Sequence, residues 1–415
     1  MQIIMRSGPD TEENVRCIRA HLEAIGSPVS IRNGTGPVVI DTPDMRWGTI
    51  IAVRTMNGIE RIVTGSKDID DTNIAEITRL DSPRSYRRDF SADPAAQDTV
   101  RSSRDAIRAI LNGTDSRFMV VVGPCSIHDD TAGLEYAQKL AKLSEKVRDR
   151  ILIVMRVYFE KPRTTVGWEG LIQDPYLDES FDMAVGLVQA RGFLLRVLGL
   201  GLPTATEFVD PITPQYISDL VSWGAIGARS AEAQAYRRMA SGLSMPIAFK
   251  NGTGGSVQLA VNGVVAARAP HPFLGVDLDG RVAQIKTLGN PDCFVVLRGS
   301  SRGTNYDESS IKEAVSLLKK AGVCPNLMVD CSHDNSQKDH RLQRVAFEDV
   351  VDQRAFRNRN IVGAMVESNL FEGKQDLRDP KQLRYGVSIT DACIGWEETE
   401  GLVLDAHAEL AGILQ

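Results

Sequence analysis

From residue 118 onward the chain alternates between two hydrophobic periods. Short apolar runs rich in β-branched residues stand at 118–123, 151–159, 204–209, 224–228, 246–249, 294–297, 326–329 and 361–366. Runs of this length, bounded by polar residues, read as strands buried on both faces. Most are separated by stretches of helical spacing, for example 132–148, 214–223, 231–241 and 309–321. Eight strands alternating with helices over roughly 250–300 residues predict a (β/α)8 barrel. A doubly wound open sheet is the structural alternative, but no glycine-rich dinucleotide fingerprint accompanies the first run.

The first 65 residues read as a separate unit. Val15, Ile18, Leu22 and Ile25 have helical spacing and Gly26 stops the helix, while strand-like pieces stand at 2–5, 29–32, 38–40, 49–53 and 59–63. This order predicts a small split-βαβ, ferredoxin-like α+β domain. It carries no nucleophile or metal cluster, so regulation or assembly is its expected role. Residues 66–112 follow as a connecting arm and helix: 66–91 is polar, and Asp93-Pro94 opens a helix that runs to Leu111 before Gly113. The barrel then occupies 113–415.

In barrels of this kind, function sits where strands end. The polar residues closing the eight runs are Cys125, then Arg156 with Lys161 and Arg163, then Glu207, Arg229, Lys250, Arg298, His333 and Glu367. All are ionisable, and one pocket is the economical reading. Cys125, His333 and Glu367, joined by Asp391, offer a thiolate, an imidazole and two carboxylates, a set suited to a divalent transition metal. The six cations Arg156, Lys161, Arg163, Arg229, Lys250 and Arg298 would repel one another without anions, so they are expected to receive phosphate and carboxylate groups. Asn251-Gly-Thr-Gly-Gly255 and Gly299 would let backbone amides approach a phosphate.

Composition narrows the classes. Across 415 residues, 42% are hydrophobic and 25% charged, and the net charge of −6 argues against a nucleic-acid partner. No apolar run is long enough to span a bilayer and the first residues lack a signal peptide's pattern, so no membrane partner is expected and the cytoplasm is the expected location. Six scattered cysteines without a C-x-x-C pair read as reduced thiols.

The motifs Gly-Pro-Cys-Ser-Ile-His-Asp (123–129), Met-Arg-Val-Tyr-Phe-Glu-Lys-Pro-Arg-Thr-Thr-Val-Gly-Trp (155–168), Ala-Thr-Glu-Phe (205–208), Trp-Gly-Ala-Ile-Gly-Ala-Arg (223–229), Phe-Lys-Asn-Gly-Thr (249–253), Met-Val-Glu-Ser (365–368) and Ser-Ile-Thr-Asp-Ala-Cys-Ile-Gly-Trp (388–396) are long and follow one another in order. In these the chain resembles the metal-dependent class I 3-deoxy-D-arabino-heptulosonate 7-phosphate synthases of the shikimate pathway. The resemblance implies condensation of phosphoenolpyruvate with erythrose 4-phosphate. It implies a divalent ion (Mn foremost, with Fe, Co or Zn acceptable) on Cys125, His333, Glu367 and Asp391. Phosphoenolpyruvate would lie on Arg156, Lys161, Arg229, Lys250 and Arg298, with Ala228 beside them, and the erythrose phosphate on Lys161, Pro162, Arg163 and Thr164. Lys161 would serve the developing alkoxide and Glu207 would orient water, with His333 and Asp391 completing the catalytic set. A homo-oligomer, dimer or tetramer, and an aromatic amino acid effector are implied as well. Glu169, Gly254 and Asn369 depart from the family pattern, and Glu169 would bring a negative charge near an anion pocket. Two alternatives remain: a related synthase taking another sugar phosphate, such as arabinose 5-phosphate, and an inactive phosphometabolite sensor.

Overall fold

The apolar runs that end on charged residues become the staves of a closed barrel, seen in a computed structural model that describes residues 2–33, 36–42, 52–53, 55–63, 72–163, 165–356 and 358–411. Its parallel strands are Phe118–Gly123, Ile151–Arg156, Thr204–Glu207, Trp223–Ile226, Ile247–Lys250, Cys293–Leu297, Leu327–Asp330 and Ile361–Glu367. Each pairs with the next, and the eighth closes on the first with Met365 opposite Val121 and Glu367 opposite Gly123. Side chains alternate across each strand. Met119, Val121, Val154, Ala205, Ala225, Ala248, Val296 and Met328 fill the barrel, while Val120, Ile153, Phe249, Val295 and Val329 pack outward in the core shared with the helices.

The helices form where sequence caps and stripes agree. Asp129 accepts from the amides of Thr131 and Ala132 to start Asp130–Val147, and Ala132, Tyr136, Leu140, Leu143 and Val147 form its buried face. The helix expected from Asp93 is Pro94–Leu111, capped by Asp93 on Ala96 N at 2.8 Å. It belongs to the barrel unit, where Ile107, Ile110 and Leu111 join the interior cluster. Arg108 pairs with Asp292 and Asn326 donates to Leu111 O, fastening the helix to the end of the barrel where strands begin. The opposite end is left for chemistry.

The chain divides into Met1–Arg79 and Leu80–Gln415. The arm expected over 66–91 therefore straddles the division. Its residues 66–71 lie outside the described residues, and Pro83–Asp89 is a short helix of the second unit, capped by Ser82. One element of that unit was not expected: an antiparallel hairpin of Pro272–Val276 and Val282–Lys286, inserted before the sixth barrel strand. The stretch 214–223, expected as a helix, is helical only at Pro214–Ile217, passes through a 3-10 turn at Ser218–Leu220, and ends with Trp223 already in the fourth strand.

The first unit holds a four-stranded antiparallel sheet. Gln2–Met5 lies between Val39–Asp41 and Ile59–Val63, and Val39–Asp41 separates it from Ser30–Arg32. The parallel pair Gln2–Met5 and Ser30–Arg32 is thus split by a third strand, as the split-βαβ reading requires. Ile3, Met5, Ile40 and Val53 form a core with Val15, Ile18 and Leu22 of helix Thr11–Ala24. The expected strand at 49–53 is not formed at Ala52 and Val53, which are helical; 49–51 lie outside the described residues. Among the described residues no helix is long and apolar enough to cross a membrane.

Candidate active site at the barrel mouth

The ends of the strands converge on one cavity of about 430 Å³. Arg156, Lys161, Pro162, Arg163, Glu207, Ala228, Arg229, Lys250, Arg298, His333, Glu367 and Asp391 all line it. Cys125 lies buried behind this lining, and Thr164 lies outside the described residues. Two glycines make the convergence possible. Gly123 adopts φ 150°, and a Cβ there would stand 3.0 Å from Arg156 O, so the turn that carries Cys125 can lie against the second strand. At Gly227 a Cβ would come within 2.3 Å of Glu207 Oε1, so any larger residue would displace that carboxylate from its place over the fourth strand's end.

One wall of the cavity gathers metal-ligand types. A sulfur of Cys125 and carboxylate oxygens of Glu367 and Asp391 lie within 4.8 Å of one another. Ser126 Oγ and Thr390 Oγ1, 2.8 Å apart, tie the two loops that carry Cys125 and Asp391. His333 stands just outside this trio, with Nε2 3.9 Å from Glu367 Oε1 and its backbone at a left-handed φ of 58°. Soft sulfur, imidazole and carboxylate together fit a divalent transition metal. Lys161 Nζ reaches the same wall, 3.0 Å from Cys125 Sγ and 3.7 Å from Asp391 Oδ2. An ammonium in contact with this wall is what a cluster with affinity for cations attracts.

The cations are not the unpaired set that spacing suggested. Arg156 Nη2 lies 3.0 Å from Glu367 Oε1, Lys250 Nζ 3.2 Å from both Glu207 Oε2 and Asp330 Oδ2, and Arg298 Nη1 2.6 Å from Asp334 Oδ2. With Lys161 on Asp391, at least four of the six expected cations meet a protein carboxylate among the described residues. Strand order brings Asp330 and Asp334 to the same end, and neither acid was marked by the run-ending pattern. Tyr158 was missed too. Its ring lies 3.9 Å below the Arg156 guanidinium and 5.9 Å from Lys250 Nζ, an aromatic face shared by two cations. Lys338, His340 and Lys374 also line the cavity and come from loops and the 3-10 turn His340–Leu342, without an apolar run to flag them.

Electrostatics follow from this packing. Burial pushes the Cys125 thiol up to about 12, aided by Glu367. Burial disfavours the Lys161 ammonium, yet Cys125, Asp391 and Glu367 outweigh it and raise the group above its usual value. Lys161 in turn holds Asp391 well below the carboxylate range. Glu207 is lowered despite its burial because Lys250 and Lys161 face it. Three of the departures from the family pattern, Glu169, Gly254 and Asn369, leave this arrangement alone. Glu169 is exposed and offers only its carbonyl, to Lys161 N at 2.8 Å. A Cβ at Gly254 would meet nothing within 4 Å, and Asn369 is buried with its side chain on Leu370 N.

Comparison with known proteins matches the region that builds the site. The sequence pattern of the DAHP synthetase I family covers residues 92–403. The Tyr-sensitive phospho-2-dehydro-3-deoxyheptonate aldolase of Escherichia coli strain K12 is 48% identical over 347 residues, 83% of this chain and 97% of that protein. The Phe-sensitive enzyme of the same organism is 50% identical over 334 residues, 80% of this chain and 95% of its own. The structure of phospho-2-dehydro-3-deoxyheptonate aldolase from Francisella tularensis SCHU S4 superposes with a TM-score of 0.80 at 45% identity, covering 82% of this chain and 99% of that one. A family pattern that spans three quarters of the chain, with identity of this extent over the barrel, means that the chain belongs to the DAHP synthetase I family.

Proposed function

We infer that this protein is a 3-deoxy-7-phosphoheptulonate synthase, a transferase that condenses phosphoenolpyruvate with D-erythrose 4-phosphate and releases phosphate at the entry to aromatic amino acid biosynthesis. The observation that carries the reading is the meeting of the Cys125, Glu367 and Asp391 cluster with a cationic lining in a single cavity. Cys125, His333, Glu367 and Asp391 would hold a divalent ion, with Mn first and Fe, Co or Zn acceptable to the same donors. When bound there, such an ion supplies Lewis acidity toward the aldehyde oxygen.

The chain's own residues do the rest. Arg156, Lys250, Arg298 and Arg229 bind the phosphate and carboxylate of phosphoenolpyruvate, and Ala228 lines its seat. Arg163 and Thr164, with Lys161 and Pro162 beside them, take the phosphate of the aldehyde. Fixing both ends sets C3 of the enol phosphate against the aldehyde carbon. Lys161 holds a proton at Nζ where the new alkoxide forms. Glu207, oriented by Lys250, directs water to C2, after which the hemiketal phosphate collapses to the ketone and phosphate leaves.

Phosphate release is expected only with both substrates present, to vanish on chelation, and to return when Mn, Fe, Co or Zn is added back. Release that persists in chelator would remove the metal from the reading. Faster release with arabinose 5-phosphate than with erythrose 4-phosphate would transfer the chain to the related synthases.

An aromatic amino acid effector is the second part of the proposal. The two Escherichia coli relatives are called Tyr-sensitive and Phe-sensitive. A second, mostly apolar cavity of about 530 Å³ lies between the inserted hairpin and the helices after the third and fourth strands, lined by Ile212, Met239, Leu243, Phe273 and Ile285, with Gln215 and Arg238 as its polar groups. That chemistry suits an aromatic ring with an adjoining carboxylate. Phosphate release measured against phenylalanine, tyrosine and tryptophan is expected to fall with one of them, and Phe273→Ala to be insensitive at the concentration that halves the parent's rate. Equal inhibition of both proteins would move the effector elsewhere. Exposed Leu274, Val282 and Leu288 at the hairpin support a homo-oligomer, and six free cysteines support a reducing compartment, for which we take the cytoplasm.

A further inference from the structure

The seventh barrel strand, Leu327–Asp330, ends on an acid that the sequence pattern did not mark. Asp330 is 0% exposed, and a carboxylate at that depth requires partners for each oxygen. Oδ1 accepts from Ser332 N at 3.1 Å and from Ser332 Oγ at 2.6 Å. Oδ2 accepts no well-aligned hydrogen bond and is met by charge alone, 3.2 Å from Lys250 Nζ and 3.1 Å from His333 Nδ1. One carboxylate therefore touches the cationic lining and the imidazole beside the metal-ligand trio.

The protons in this network can be placed. Ser332 has a single hydroxyl proton. Once it is given to Asp330 Oδ1, the Ser332 oxygen can only accept, and its neighbour at 2.7 Å is His333 Nδ1. Nδ1 must then carry the imidazole proton, which leaves the lone pair on Nε2, the nitrogen that lies 3.9 Å from Glu367 Oε1. The backbone of His333 is pinned by Lys338 N at 2.8 Å and Ser336 Oγ at 3.1 Å, both donating to its carbonyl, so the ring's aim depends on what holds Nδ1.

We propose that Asp330 is a positioning residue shared by both halves of the site: through Ser332 it keeps His333 with Nε2 free to ligate a divalent cation, and directly it holds the Lys250 ammonium on the substrate side. The proposal rests on the reading that Cys125, His333, Glu367 and Asp391 form the metal site. Partners of metal-bound histidines that fix tautomer and orientation typically govern affinity by one to two orders of magnitude.

Chelator competition with Mn²⁺ on the full chain, without substrates, measures the metal arm apart from activity. Asp330→Asn is expected to weaken Mn²⁺ binding about 10- to 100-fold and to raise KM for phosphoenolpyruvate at saturating Mn²⁺. Ser332→Ala, which leaves Lys250 its carboxylate, is expected to weaken Mn²⁺ with a smaller rise in that KM. A role confined to stability would not separate the two variants in this way. Should Asp330→Asn fail to fold, Ser332→Ala and the ¹⁵N spectrum of Zn²⁺-loaded wild-type protein carry the test, with the proton of His333 expected on Nδ1. Parent-like Mn²⁺ affinity in the folded variants, or a His333 Nδ1 without its proton, overturns the proposal alone. Wild-type protein that binds no Mn²⁺ overturns it together with the metal site.

Discussion

Lys161→Ala is expected to lower kcat about 10²- to 10⁴-fold while the protein still binds its divalent ion. Lys161 Nζ sits 3.0 Å from Cys125 Sγ and 3.7 Å from Asp391 Oδ2, and these acids with Glu367 raise its pKa in spite of burial. An ammonium does not surrender its proton to a neutral aldehyde oxygen, which is a far weaker base. An alkoxide formed when the carbon–carbon bond closes is basic enough to take it, so the interaction is stronger in the transition state than in the ground state. Deleting the ammonium leaves the metal-ligand wall with one positive charge fewer nearby, so metal affinity has no reason to fall. Single-turnover phosphate release gives the rate and chelator titration gives the metal. Near-normal turnover in metal-loaded Lys161→Ala would end the proton-donor role.

Residues 118–123 show why the barrel could be read at all. A strand covered on both faces has no room for polar side chains, so Phe118–Gly123 is apolar throughout and its boundaries coincide with those of the run. The mouth was legible for the same reason: an ionisable residue in or just after the end of an apolar run must lie where the strand leaves the core, and Arg156, Glu207, Lys250 and Glu367 each close a strand and line the cavity. The pattern failed where it could not distinguish a strand's last residue from its loop. Asp330 directly follows the run at 326–329 and closes the seventh strand, yet His333, three residues further on, is the residue that metal chemistry singles out there. Tyr158 failed for another reason, since an aromatic residue after an apolar run looks like more core. The hairpin had a local signal, Asp279-Gly280 between alternating apolar positions, that was weak beside the eight longer runs.

The carboxylates missed in this way change the electrostatic picture of the site. Six cations facing one cavity would need ligands to stay together. With Glu207, Asp330, Asp334, Glu367 and Asp391 interleaved among them, much of that charge is met by the protein's own carboxylates, which tie the strand ends together. Such interleaving preorganises the groups at a cost: each buried pair is stable only while both members are present.

Arg156→Met tests that cost where it is greatest. Arg156 is 0% and Glu367 2% exposed at the side chain, with 3.0 Å between Nη2 and Oε1; the guanidinium also stacks on Tyr158 and meets Met365 Sδ at 2.8 Å. Methionine fills much of the same volume but leaves the Glu367 carboxylate buried without its cation. Breaking a buried pair from one side costs about 3–5 kcal/mol, so the metal-free variant is expected to unfold with a free energy lower by about that amount. Two further measurements separate charge from packing. Added Mn²⁺ should return part of the loss, because a divalent ion at Glu367 replaces the missing positive charge and binds only the folded state. Arg156→Met combined with Glu367→Gln should be more stable without metal than Arg156→Met alone, since the orphaned charge is gone, and should have no useful metal affinity. If the single variant unfolds like the parent in chelator, or if the second substitution destabilises it further, the Arg156–Glu367 pair does not hold the eighth strand's end in place, and the interleaved mouth would lose its central member.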